Sequence, residues 1–332
     1  MSAPAQPKKS FVVARDSGPG AEALRGAVVA IGNFDGVHRG HRAVIGAAMR
    51  RARTLSRPAA ALTFEPPPRA FFVPNEPLFR LSDERNKLRL LAATGLDGAI
   101  LLNFNAALAA LTAEEFIARI LVGRFAISGA AIGFNFHFGK ERGGSPQVLA
   151  AAGEKQGFAV DIVPALEDEG RPVSSGAIRS ALAAGRVVEA AELLGYPFFV
   201  TGKVIHGEKR GRALGYPTAN LKLDPACGLK HGIYAVRVGI GKQRYEGVAS
   251  FGRRPTFDDG APLLEIFLFD FEGDLYGAEL DVAFIAWIRP EEKFDTVEAL
   301  IARMHDDSTR AREALKRAGD AFPPLGNLPL SP

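Results

Sequence analysis

Up to about residue 195, short apolar runs alternate with helix-patterned segments; beyond that point the chain turns to β-rich runs separated by turn signals. The first apolar run, Ala27 to Ile31, ends in Gly32-Asn33-Phe34-Asp35-Gly36, and a periodic stretch follows from His38 to about Leu55. That is a buried strand, a glycine-bounded loop and a helix. A strand over 59–64 breaks at Pro66-Pro67-Pro68, helix 83–94 precedes a strand at 98–102, and helix 112–122 leads to a strand at 126–132. Strands alternating with helices predict βα units and a parallel sheet covered on both faces. After a helix over 187–194, runs at 198–205, 232–239, 244–251, 263–271 and 279–288 have the spacing of an antiparallel barrel or sandwich. A helix from Thr296 to about Lys316 follows them.

A length of 332 residues accommodates two domains, each with its own core. The pattern change near Gly195-Tyr196-Pro197 sets them at 12–186 and 197–317, with a boundary helix at 187–196 and a loose tail over 318–332. A net charge of +4 does not mark a nucleic-acid binder. The charge is uneven, with 23 Lys+Arg against 18 Asp+Glu in the first 195 residues and 18 against 19 in the rest, which suits an anionic ligand in the first half. No apolar run approaches the ~18 residues that span a membrane, and residues 1–10 lack a secretory-signal pattern. The single Cys227 rules out a disulfide framework within the chain. These features predict a cytoplasmic protein without membrane or nucleic-acid partners and leave homo-oligomer formation open.

His38-Arg39-Gly40-His41 places two imidazoles three residues apart at a helix start, on one face. The same helix end offers unpaired N–H groups and the positive pole of the helix, a setting suited to phosphate. Imidazoles donating there stabilise charge on a phosphoryl group in transfer. A metal pair lacks a third ligand at a telling spacing. In its context, Gly32 to His41 resembles the nucleotide-binding motif of the HxGH nucleotidyltransferases, in the form found in bacterial FAD synthetases. Thr63-Phe64-Glu65-Pro66, the segment Gly133 to Gly139, and Val173-Ser174-Ser175-Gly176-Ala177-Ile178-Arg179 resemble further elements of that family in the same order. The resemblance implies a Rossmann-like domain in which Gly32, Phe34, Asp35 and Gly36 bind ATP. It also implies that Asn135 binds nucleotide or metal-bound phosphate, that Ser174 and Ser175 contact phosphate, and that Arg179 offsets triphosphate charge.

In the second half, Gly207, Gly211 and Gly215 bracket the basic residues Lys209, Arg210 and Arg212, a cationic loop able to fold over phosphates. In Pro217-Thr218-Ala219-Asn220 a hydroxyl and an amide oxygen stand two residues apart; in an extended segment they share a face and help hold Mg²⁺ while ATP phosphates complete its shell. Period two puts Glu265 on the face of Phe267, Phe269 and Phe271, where aromatic surroundings disfavour its ionised form and raise its pKa into the range of a general base. Asp270, on the opposite face, reads as structural. The stretch from Gly211 to Asn220 resembles the riboflavin kinase signature. The match continues through His231 to Tyr234, Gly252 to Phe257, Tyr276-Gly277 and Ile288 to Glu291.

The resemblance as a whole, over about 12–317, is to the bifunctional riboflavin kinase/FAD synthetases. It implies an antiparallel barrel as the second domain, with Glu265 the base for the ribityl hydroxyl, and riboflavin, FMN and ATP as ligands. Pro67 stands where relatives carry His, His137 where they often carry Arg, Gly176 where they carry Thr, and Ser250-Phe251 where they carry Asn-Ile. Three other readings stay open at this level. They are a nucleotidyltransferase for another acceptor, a chain that is mainly a riboflavin kinase, and a flavin-binding regulator without turnover.

Overall fold

The computed structural model describes residues 10–16, 18–168, 170–207, 216–253 and 262–329. The chain forms two compact units. One comprises the chain up to Glu76, Ser82–Val173 and the segment from Pro324 on; the other comprises Pro77–Leu81 and Ser174–Pro323.

In the first unit, β1 (Val12–Arg15), β2 (Val28–Ile31), β3 (Ala59–Glu65), β4 (Gly98–Asn103), β5 (Gly129–Gly133) and β6 (Ala159–Val163) form a parallel sheet in the order β1-β4-β3-β2-β5-β6. Two-residue strands β7 (Glu167–Asp168) and β8 (Arg171–Pro172) pair separately. All of β2 and the first six residues of β3 are buried, as strands covered on both faces must be. Helix α1 (Arg39–Leu55) lays Val44, Ile45, Ala48 and Ala52 against β2, β3 and β5. Helices α2 (Glu84–Ala92) and α3 (Pro146–Gln156) complete the main crossovers. The helix expected over 112–122 is in two parts. Thr112 and Glu115 cap one turn reciprocally, and Phe116–Arg124 then winds as a π-helix that buries Phe116, Ile117, Ile120 and Leu121.

The strand order fixes where a ligand can lie. From β2 the chain builds outward through β3 to β4, then returns to set β5 on the other side of β2. The order reverses between β2 and β5, and in open parallel sheets the crevice beyond the strands' carboxyl ends at such a point receives ligands.

In the second unit, helices α4 (Ser175–Ala183) and α5 (Val187–Leu194) pack on each other. Strands β9 (Phe199–Lys203), β10 (Thr218–Lys222), β11 (Gly232–Ile240), β12 (Gln243–Arg253), β13 (Pro262–Leu268) and β14 (Glu279–Arg289) form an antiparallel sheet in the order β10-β13-β12-β11-β14-β9. Its two ends meet where Ile205 bridges Asn220, the Ile205 N–H donating to the Asn220 carbonyl at 2.9 Å. The sequence pattern changes near Gly195, but compact packing divides the chain earlier, at Val173, because α5 packs on β14 as well as on α4. The run expected to carry Glu265 and three phenylalanines on one face is shorter than expected. β13 ends at Leu268, and Asp270 takes a left-handed φ of 53°, so only Phe267 shares the strand face with Glu265.

Helix α6 (Val297–Arg317), capped by the Thr296 hydroxyl, lies on β11, β12 and β14. Two buried arginines secure this region. Arg289 binds Asp307 through Nε and Nη2 at 2.8 and 2.7 Å. Arg237 donates to the Ala321 carbonyl and to Glu246, both at 2.9 Å. The tail expected to be loose is thereby held at Ala321, and further on the Gly326 N–H donates to the Arg89 carbonyl at 2.9 Å. Removing one partner of a buried pair leaves an uncompensated charge. Asp307→Ala is therefore expected to destabilise the second unit by about 3–5 kcal/mol. Arg312→Ala, which removes an exposed pair with Asp270, should cost less than about 1 kcal/mol. Urea midpoints of the two variants check the contrast.

Candidate functional site

Because β2 and β5 are parallel neighbours, the loops that leave them emerge at one edge of the sheet. This edge gathers Gly32, Phe34, Asp35, Gly36, His38 and His41 after β2, and Asn135 after β5. The turn after β2 is tightly constrained. Phe34, Gly36 and Val37 all have positive φ, at 49°, 77° and 36°, a conformation that persists in non-glycine residues only when the surroundings enforce it. Here the enforcement is visible. Phe34 and Val37 are buried, and the Thr63 hydroxyl of β3 donates to the Asn33 carbonyl at 3.2 Å. The Ser82 N–H donates to Asp35 Oδ1 and the Gly36 N–H to Ser82 Oγ, each at 3.0 Å. Asp35, expected among the ATP-binding residues, thus uses its carboxylate to shape the turn, which is reasonable because a carboxylate facing phosphate would repel it.

His38 is the N-cap of α1, its Nδ1 accepting the His41 N–H at 3.3 Å. An accepting Nδ1 carries no proton, so the His38 proton sits on Nε2. The His41 ring stacks on His38 at 3.6 Å and meets the edge of Phe34 at 5.3 Å. Its buried Nδ1 has no hydrogen-bond partner among the described residues, so the tautomer protonated on Nε2 leaves only a lone pair in the dry position. Burial pushes the His41 imidazole well below its usual range, and the neighbouring His38 ring and the Lys87 ammonium push it the same way. The result is two stacked, neutral rings, each with its proton on Nε2. Gly40 eases the stack, because a Cβ there would lie 3.2 Å from the His38 ring and 3.3 Å from the Val173 carbonyl.

Two features of this edge escape the sequence reading. Lys87 on α2 is only 1% exposed, and its Nζ reaches Glu65 Oε2 at 3.3 Å and the Phe64 carbonyl at 3.4 Å. Its sequence signal is a lone lysine on the helix face that buries Leu90 and Leu91. The other feature is aromatic. Phe71, Phe72 and Phe104 meet edge to face at 5.3–5.7 Å, and Phe104 touches Phe64 at 5.8 Å. Phe72 is 64% exposed. Three separate segments supply these rings, so no local motif announces them.

Asn135 is exposed, and His137 Nδ1 pairs with its carbonyl at 3.0 Å. Ser174, Ser175 and Arg179 belong to the second unit. Ser174 caps α4, accepting the Ala177 N–H at 3.2 Å, and Arg179 Nε donates to the Phe79 carbonyl at 2.7 Å. Their assignment to phosphate rests on the resemblance alone.

In the second unit the register places Asn220 opposite Glu265, and Glu265 opposite Ser250, across β10, β13 and β12. Directly paired residues project to the same face, as do Thr218 and Asn220 two positions apart. Thr218, Asn220 and Glu265 therefore converge on one face. Next to Glu265, Phe267 packs on Tyr216 at 4.7 Å, and Tyr216 meets His305 of α6 at 5.6 Å. The Asn220 amide donates to the Thr218 carbonyl at 3.3 Å, which directs its Oδ1 away; that oxygen is buried and has no partner among the described residues. A buried, unpartnered oxygen suits a hard cation. Gly207 lies so close that any Cβ there would collide with the Asn220 amide. Lys209, Gly211, Arg212 and Gly215 lie outside the described residues.

The FAD synthetase family matches residues 20–177, and the riboflavin kinase family matches residues 194–315. The chain is 43% identical over 289 residues to a bifunctional riboflavin kinase/FMN adenylyltransferase of Pseudomonas fluorescens, covering 87% of this chain and 93% of that one. Its counterpart in Escherichia coli K12 is 39% identical, with 87% and 92% covered. A crystal structure titled a macrolide-efflux protein from Streptococcus pneumoniae superposes with a TM-score of 0.81 at 34% identity, covering 91% of this chain and 99% of that one. Among the described residues no helix is long and apolar enough to cross a membrane.

The buried state of His41 has a consequence for acid stability. Below about pH 6.5 the unfolded chain protonates this imidazole while the folded chain does not, so stability falls as pH drops, by up to about 1.4 kcal/mol per pH unit. His41→Gln removes that contribution. Urea unfolding of the first unit at pH 7 and pH 5.5 should show a smaller acid loss in His41→Gln than in the wild type.

Proposed function

The chain belongs to the bifunctional riboflavin kinase/FMN adenylyltransferase family, and from that membership we infer how its residues divide two successive ATP-dependent steps. The second unit phosphorylates riboflavin to FMN, with ADP as the other product. The first unit joins FMN to the adenylyl group of a second ATP, giving FAD and pyrophosphate. The observation that carries the division of labour is that Thr218 and Asn220 of β10 and Glu265 of β13 converge on one face.

For the kinase step we assign Glu265 as general base. As the ribityl 5′-hydroxyl attacks the γ-phosphate of ATP, the carboxylate accepts its proton and the γ-phosphate leaves ADP. Thr218 and Asn220 suit a divalent cation, which we take to be Mg²⁺; the buried, unpartnered Asn220 Oδ1 supports this. When bound, the cation offsets negative charge on the ATP phosphates. Gly207, Lys209, Gly211, Arg212 and Gly215 are assigned to the loop over those phosphates on the strength of the resemblance.

For the adenylyl step the nucleophile is the FMN phosphate, already ionised near neutral pH, so no base is required. An FMN phosphate oxygen attacks the α-phosphorus of ATP and the bond to pyrophosphate breaks. The Nε2 protons of His38 and His41 and the amino end of α1 donate to phosphate oxygens as charge builds. Asn135 borders the same crevice and is assigned to the nucleotide. The exposed Phe72, with half-buried Phe71 and Phe104 beside it, provides an aromatic surface on which a flat, tricyclic flavin can pack. We place both reactions in the cytoplasm, in keeping with the lone cysteine.

Incubation with riboflavin, ATP and Mg²⁺, followed by separation of the flavins, should yield FMN and FAD; starting from FMN should yield FAD. Failure to form FAD from FMN would reject the assignment of the first unit. Glu265→Gln is expected to lower riboflavin phosphorylation by about 10²–10⁴-fold while FMN adenylylation persists. His41→Ala should do the converse, lowering adenylylation by about 10²–10³-fold. Equal loss of both activities in either variant would count against separate sites.

A further inference from the structure

The register that brings Asn220 and Glu265 together continues one strand further. Ser250 on β12 is the direct partner of Glu265 on β13, and its partner on the far side is Ile233 of β11. Directly opposed residues on antiparallel strands have Cβ atoms about 4.5–5.5 Å apart and project to the same face. A serine hydroxyl is therefore within reach of the Glu265 carboxylate through ordinary side-chain rotations. Ile233 offers no polar group on this row, and the neighbours two positions along β12 are Val248 and Gly252. Glu265 thus has a buried amide on one side and a hydroxyl on the other.

We propose that the Ser250 hydroxyl is a positioning group for the kinase step, donating to one Glu265 oxygen so that the other faces the substrate hydroxyl. This rests on the reading of Glu265 as the base. The physical case is one of orientation. A carboxylate on a flexible side chain samples several rotamers, and only those directing an oxygen at the nucleophile are productive. A hydrogen bond to an ionised acceptor is roughly twice as strong as a neutral one and is sufficient to select among them. Ser250 touches neither substrate nor metal in this scheme, so its loss should appear in turnover rather than in binding. Among the described residues a second carboxylate competes for the hydroxyl: Glu291 lies against Gly252, two residues along the same strand face.

The test uses the full chain and a pair of variants of equal shape. Ser250→Thr keeps the hydroxyl, and Ser250→Val replaces it with a methyl group. Ser250→Val is expected to lower kcat for riboflavin phosphorylation roughly ten- to hundredfold, with KM for riboflavin and ATP within about twofold of wild type. Ser250→Thr should stay within about threefold of wild type in kcat. FMN adenylylation, measured on the same samples, should be unchanged in both and reports that the first unit is folded, while unchanged KM values report the same of the second. The Thr–Val difference should persist when Glu291→Gln is added. The proposal is overturned if Thr and Val variants fall together, if Val matches wild type, if the loss is in KM alone, or if Glu291→Gln abolishes the difference. Glu265→Gln measured alongside separates the two levels: full kinase activity in that variant rejects Glu265 as the base. A dead Glu265→Gln with equal Thr and Val variants rejects only the role of Ser250.

Discussion

One backbone amide organises the helix start of the first unit. The His41 N–H donates to His38 Nδ1, and this bond caps α1, fixes the His38 tautomer and draws the two rings into a stack. An imidazolium at His38 could not accept that bond, and one at His41 would be both buried and beside a second ring. The local fold therefore favours the neutral form of both rings. A side chain at Gly40 would crowd the stack. The turn that precedes it, with left-handed Phe34 and Val37, is held by β3 and by the loop before α2, so the ring pair is placed by the sheet rather than by the loop's own preference.

The second unit reaches precision by another route. Its polar groups are set by strand register, where a slip of one residue would turn every side chain to the opposite face. The bridge between Ile205 and Asn220 adds a further constraint on the strand that carries Thr218 and Asn220. On the far side of the sheet the same strands bury Leu264, Ile266, Ala249 and Phe251, so the hydrophobic core and the polar row lock each other in register.

Much of this was legible in the residues alone. The continuous apolar runs at 27–31, 59–64 and 98–102 are strands because both faces are covered, and the glycine-bounded turn before His38 announces the helix start. Strand β6 gave no comparable signal, since it is an edge strand with exposed and half-buried residues throughout. Periodicity overstates β13, because the alternation of phenylalanines continues past Leu268 whereas the backbone leaves the strand. The proline-bearing tail reads as loose, and nothing local reveals that Arg237 binds its carbonyl. Lys87 and the cluster of Phe71, Phe72 and Phe104 depend on segments distant in sequence. Periodicity reveals which face is apolar; it does not reveal which polar group will meet which.

The short excursion Pro77–Leu81 has a consequence for the covalent architecture. Arg179 holds its Phe79 carbonyl, and the Phe79 ring packs on Phe198 at 5.9 Å. The polypeptide thus changes compact unit after Glu76, Leu81, Val173 and Pro323. No single scission can release either half whole, since a break after Val173 strands this pentapeptide on one fragment and the segment from Pro324 on the other. Dividing the two catalytic halves into independent polypeptides would require rerouting the backbone, not merely shortening it.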